Sequence, residues 1–196
     1  MPVFWRKGYE GASIADLTQA IGINPPSLYA AFGSKEGLFR AVLDRYEQDR
    51  KDDLDNILAA PTARSTAELY LSKVAEGATA TDGKHPPGCL LVQSGQGCGD
   101  AAIPEMAARL RASKELALRD RFERARKDGD LPKGADPAVL ARYIMTVANG
   151  MFMQATAGAT EKELRDVAKL AILAWPAGTA GRKDKKPRKT EARATA

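Results

Sequence analysis

The chain has 196 residues with a net charge of +5, 44% hydrophobic and 28% charged side chains, which suits one or two folded domains with a real core. No apolar run reaches the ~18 residues that span a bilayer, and the N-terminus lacks a basic region followed by a long apolar core, so a cytoplasmic setting is expected. The charge is not spread evenly: Arg182 to Arg193 holds seven Lys/Arg against Asp184 and Glu191, leaving 23 basic and 23 acidic residues in the rest.

No period-2 alternation bounded by turn signals appears, so the expected fold class is all-α. Val3 to Lys7 reads as a helix end closed by Gly8. The spacing predicts a short helix over 14–21, with Ser13 as its N-cap and Asp16 three places on, where a negative charge suits the helix dipole. Gly22 breaks it. Asn24 caps the next helix, and Pro25 and Pro26 sit in its first turn, where a missing N–H costs nothing. Gly33 stops that helix, and Ser34 caps another with Gly37 as a weak spot and Leu38, Val42 and Tyr46 along one face. That charged helix is expected to run on to a break at Pro61.

Further helices are expected over 63–81, 104–128, 137–157 and 161–175, with loops at 83–88 and 128–137. Met106, Leu110, Ala117 and Phe122 are the inward positions of the third long helix from the end. Cys89 to Gln93 looks helical, and Gly95, Gly97 and Gly99 interrupt its continuation. Residues 177–196 form a basic tail expected to be a solvated, disordered end; the alternative is that it adds sequence-independent attraction to phosphates.

The two short helices and their Gly22-Ile23-Asn24 connection suit a helix-turn-helix, whose second helix enters a DNA major groove. Leu17, Ile21, Leu28 and Phe32 are spaced to bury one small core between them. Ser27, Tyr29 and Ala30 lie on other faces. The second helix is short because it meets the groove end-on and its supporting helix follows at once.

The stretch GYEGASIADLTQAIGINPPSLYAAFGSKEGLFRAVL resembles the N-terminal domain of the TetR family of bacterial transcriptional regulators. The resemblance covers residues 3–43 and rests on Gly8-Tyr9, Ser13, Gly22, Leu28-Tyr29, Phe32, Ser34-Lys35-Glu36 and Leu38-Phe39 together. The linker DGDLPKGADPAVLARY is similar to one common before the penultimate helix of that family.

The resemblance implies a DNA-binding domain over 1–46 and a larger helical ligand-binding and dimerisation domain over 47–176. It also implies how the residues act. Ser13 would touch a phosphate, and Asn24, Pro25, Pro26 and Ser27 would face the groove. Tyr29 would reach the backbone through its hydroxyl, and Lys35 would hold a phosphate. With two prolines in the groove, readout by apolar contact or DNA shape is expected to outweigh direct base contacts. The partners implied are a palindromic double-stranded operator, a small-molecule effector and a second copy of the chain, with no cofactor. Repression is the family's majority habit.

Two departures stand out. Thr18 occupies a position where a small alanine is common. Family members also have a full first helix, whereas this chain begins near its last two turns, so Met1 is expected to be an internal position. The alternative reading is a helical interaction module that has lost DNA binding through that truncation.

The helix at 137–157 is apolar nearly all round, and the second half of 161–175 is similar. Met145, Ala148, Met151, Leu170, Leu173 and Trp175 are therefore expected at a dimer face; the alternative is a core helix within one subunit. Cys89 and Cys98 are the candidate effector-sensing residues. The GCL segment is similar to a branch of the family in which some members sense electrophiles, oxidants or metal, and Cys89 also suits a small buried apolar position. Nine residues apart on a regular helix, the two would face opposite ways about 13 Å apart, so no disulfide is expected. His85 with the cysteines gives only three ligands at loose spacing, and no metal is expected. No strand precedes the glycines and no GK[ST] follows, which excludes a phosphate loop. A single histidine without a nucleophile pattern argues against an enzyme.

Overall fold

The computed structural model describes residues 1–80, 85–94 and 102–176. Cys98, the run Gly95 to Gly99 and the basic tail at 177–196 lie outside them. All regular elements among the described residues are helices.

Helix α1 (Pro2–Gly11) turns at Gly8, whose φ of 68° lies in the left-handed region that favours glycine. Helix α2 (Ile14–Ile21) starts on a reciprocal cap: the Asp16 amide donates to Ser13 Oγ, and the Ser13 amide donates to Asp16 Oδ2. Gly22, at φ 80°, closes it. Helix α3 (Pro25–Phe32) starts with the Ser27 amide donating to Asn24 Oδ1 at 2.9 Å. Helix α4 (Lys35–Gln48) starts with the Gly37 amide donating to Ser34 Oγ at 3.0 Å.

The single long charged helix expected up to Pro61 is in fact two. After α4 the chain leaves helical geometry at Arg50 (φ −113°, ψ 0°), and α5 (Lys51–Leu58) resumes. No Gly or Pro marks this break. It re-aims the chain so that Tyr46 packs with the N-terminal helices and Ile57 with the C-terminal ones, both buried.

Helix α6 (Ala63–Thr79) is capped by Thr62 and Ser65, and its Ala63 amide donates to Asp130 Oδ2 at 2.6 Å. The short α7 (Leu90–Gln93) follows Cys89. Helix α8 (Ala102–Lys127) carries the buried Arg121, which donates to the Ala60 carbonyl at 2.8 Å and so satisfies a charge that would otherwise be expensive to bury. Helix α9 (Pro137–Thr156) is capped by Asp136, and α10 (Glu161–Leu173) by Thr160 with Glu163.

Two apolar cores result. One joins α6, α8, α9 and α10. The other holds Phe4, Trp5, Leu17, Leu28, Leu38, Phe39, Leu43 and Tyr46, and it extends through Cys89, Leu90, Leu91, Ile103 and Met106 of α7 and α8. The Arg111 guanidinium donates to the Leu91 carbonyl and pins α7 on α8.

Burial corrects part of the expected dimer face. Met145, Ala148, Met151 and Trp175 are buried in their own subunit's core. Trp175 packs edge-on against Phe122 at 5.2 Å, and Met145 Sδ accepts from the Tyr70 hydroxyl at 3.2 Å. A helix that is apolar all round presents one stripe to its own core, and these residues occupy that stripe. Leu170 and Leu173 are the opposite case, at 67% and 76% exposed. Ile21 is also not in the helix-pair core, being 47% exposed: it lies one turn beyond the packed Leu17.

Candidate nucleic-acid interface and effector cavity

Helix α3 is anchored by Leu28, which is fully buried. Its other side is open: Asn24, Pro25, Pro26, Ser27 and Tyr29 are all exposed. Pro25 and Pro26 lack an N–H, and the Asn24 side chain takes the Ser27 amide, so the start of α3 is satisfied without a partner helix. The result is a rigid, projecting helix end of the kind that fits a groove.

Ser13, also exposed, donates from Oγ to Asp16 Oδ2 at 2.7 Å. Lys7 reaches the same carboxylate at 2.7 Å and ties α1 to α2. Lys35 is half-buried; its ammonium lies 4.5 Å over the Tyr9 ring and 3.4 Å from the Glu10 carbonyl, against the C-terminal end of α1 where a cation is favourable. Ser13 and Lys35 thus sit at the starts of α2 and α4, flanking the exposed α3. Thr18 is buried, and its hydroxyl donates to the Ile14 and Ala15 carbonyls, so it adds no unsatisfied group.

The Lys7 ammonium, followed by the Ser13 bonds, holds the Asp16 carboxyl at about 2. An unfolded aspartate titrates near ~3.9. The carboxyl therefore supports the fold fully above about pH 4, and that support is lost as pH falls through about 2. Acid melts should show the wild type and Asp16→Asn converging over that interval. Asn24→Ala removes the α3 cap and should cost about 1 kcal/mol in a urea melt.

A second feature lies where α4, α5 and α6 meet. A cavity of about 630 Å³ is lined by Tyr46, Arg50, Leu54, Ile57, Tyr70, Val74, Gly88 and Phe152 among others. That volume is in the range of small-molecule sites. Beside it, the Tyr46 hydroxyl and the buried Cys89 thiol share a hydrogen bond, O···S 3.2 Å. Burial, with Cys89 close by, pushes the Tyr46 hydroxyl well above its ordinary pKa, and burial does the same for Tyr70. Gly88 has φ 101°, and a Cβ there would come within 2.5 Å of the Thr156 methyl, so the turn into Cys89 requires glycine. His85 lies in that same turn, its ring stacked on Trp5 at 5.0 Å. In the sequence His85 looks like a plain loop residue, and nothing local marks Trp5 or Arg50, because their contacts are made across the chain. Among the described residues no group of three or more His, Cys, Asp or Glu could hold a metal ion, and no helix is long and apolar enough to cross a membrane.

A capped helix pair with an exposed second helix, set on a larger helical body with a cavity, defines a helix-turn-helix regulator. Residues 1–42 match the profile of the bacterial regulatory proteins of the tetR family. The chain is 33% identical over 183 residues to the HTH-type transcriptional repressor ComR of Escherichia coli (strain K12), covering 90% of this chain and 85% of that one. It is 30% identical over 170 residues to the repressor BdcR of the same strain, covering 86% and 81%. A solved cysteine mutant of the TetR family regulator CifR, complexed with 26-bp operator DNA, superposes with a TM-score of 0.83 at 38% identity, covering 89% of this chain and 92% of that one. The chain belongs to the TetR family of bacterial transcriptional regulators.

Proposed function

We propose that the chain is a ligand-responsive transcriptional repressor, not an enzyme, acting in the cytoplasm as a homodimer on palindromic operator DNA. The reading that it is an interaction module without DNA binding lacks comparable support. The observation that carries the proposal is the exposed α3 surface, Asn24 to Ser27 with Tyr29, held by the single buried Leu28. Residues 1–46 form the reading head in this account, and residues 47–176 form the regulatory body. Ser13, Tyr29 and Lys35 contact phosphates around the groove, and Asn24, Pro25, Pro26 and Ser27 face it.

The second copy docks on the outer faces of α9 and α10. Val167, Leu170 and Leu173 are exposed there, beside the half-buried Tyr143 and Val147, and the five line one shallow apolar groove. The Tyr143 hydroxyl donates to the Ala171 carbonyl at 2.9 Å and fixes the two helices relative to each other. Two-fold pairing sets two reading heads at a fixed spacing. An effector in the cavity shifts the population toward dimers whose heads no longer match the half-sites. Cys89, buried beside the cavity and bonded to Tyr46, is placed to report on its occupant.

Selection of bound duplexes from a random-sequence library tests this. The full chain is expected to enrich one palindromic sequence. Absence of any enriched sequence would overturn the proposal.

A further inference from the structure

The cavity mouth carries both signs of charge, but not evenly satisfied. Each acid that lines it has a basic partner: Glu47 pairs with Lys114 at 2.8 Å, Asp49 with Arg45 at 2.8 Å and Asp53 with Lys73 at 3.9 Å. Arg50 has no carboxylate within ion-pair distance among the described residues. Its guanidinium instead lies 3.8 Å over the Tyr46 ring and 5.8 Å from the Trp5 ring. It is half-buried, and the exposed Lys51 beside it adds a second cation on the rim that pairs with no carboxylate among the described residues. Below it the wall is apolar: Leu54, Ile57, Val74 and Phe152.

A chamber with a charged rim, an apolar stretch of wall and a guanidinium that no carboxylate of the described residues engages selects a particular chemistry. Arginine's planar fork matches a carboxylate, with two parallel N–H···O bonds, and the partly desolvated setting strengthens them. A cationic effector would meet Arg50 and Lys51, with a basic side chain already facing each lining acid. We propose that the effector is a small amphipathic anion, an aryl or alkyl carboxylate, with its carboxylate on Arg50 and its apolar body against Leu54, Ile57, Val74 and Phe152. This deepens the regulator reading above and rests on it.

The same contact explains how occupancy reaches DNA. Tyr46 and Trp5 belong to the core that also holds Phe4, Leu28 and Phe39 of the reading head. Arg50 caps that core from the cavity side. A carboxylate that draws the guanidinium off the Tyr46 face changes the support beneath α1 and α4.

The test uses matched acid and amide pairs: hexanoate, decanoate, phenylbutyrate and naphthylacetate, each beside its carboxamide. Binding to the full chain is read by titration calorimetry, and operator release by fluorescence anisotropy. At least one carboxylate is expected to bind about tenfold or more tightly than its amide and to release the operator at saturation. Arg50→Gln should bring the acid and amide affinities together, and Arg50→Lys should keep part of the preference, which a merely misfolded variant would not. The proposal is overturned if no acid outbinds its amide, or if the preference survives in Arg50→Gln. Operator affinity without ligand separates the two claims: operator binding with no acid preference sinks only the effector class, and an acid preference with no operator binding sinks only the regulator reading.

Discussion

Glutamate at both Leu170 and Leu173 is expected to convert the dimer to monomers and lower operator affinity by about a hundredfold or more, while the subunit itself stays folded. The two side chains are 67% and 76% exposed in the single chain, so their replacement removes little from the subunit's own core. Surface changes of this kind usually shift stability by no more than about 0.5 kcal/mol. In the dimer proposed above, the same change would place four carboxylates in a two-fold apolar interface, and unpaired charges there cost several kcal/mol. A monomer grips one half-site, and losing the second readily exceeds the roughly 2.7 kcal/mol that a hundredfold represents. Sedimentation reads the oligomeric state and anisotropy reads operator affinity. Trp175→Ala is the contrasting case: it should destabilise the subunit by about 3–5 kcal/mol, because that ring is buried against Phe122. If the glutamate pair left a dimer intact, the second copy would have to dock elsewhere.

Phe39→Ala should have the largest effect on the reading head. Phe39 is fully buried, edge-on to Phe4 at 4.9 Å and to Tyr9 at 5.3 Å, and so joins α4 to both segments of α1. Removing the ring costs about 3–5 kcal/mol. A unit this small has little stability in reserve. Operator binding should be lost, and hydrogen exchange should show α1 to α4 deprotected while α9 and α10 keep their protection. Uniform loss across all helices would mean that the two cores melt as one.

Much of the head was legible because short-range chemistry decides it. Ser13, Asn24 and Ser34 each stand one residue before a helix, and each accepts the amide its spacing anticipates. Gly22 and Gly33 end helices at positive φ, where other residues are strained. The C-terminal half was legible in outline only. Helix α9 is apolar around most of its circumference, and periodicity cannot separate the stripe facing its own core from one facing a partner. Met145, Ala148 and Met151 took the first role. The break at Arg50 had no Gly or Pro to announce it, since tertiary packing of Tyr46 on one side and Ile57 on the other decides it. The cavity was illegible for the same reason: its lining comes from residues 46 to 152, and no single segment carries it.

The measurement that most directly tests the central claim is operator affinity across a salt series, for the wild type and for Tyr29→Phe combined with Lys35→Ala, with a scrambled duplex as control. The account predicts that the wild type prefers operator over scrambled DNA at every salt. It also predicts that the double variant, still folded, binds more weakly and loses about one unit of log–log salt slope for each Lys35–phosphate contact removed, the neutral Tyr29 hydroxyl contributing to affinity but not to the slope. Equal binding of operator and scrambled DNA by the wild type, or an unchanged affinity and slope in the variant, would contradict a reading head built on α3 and the start of α4.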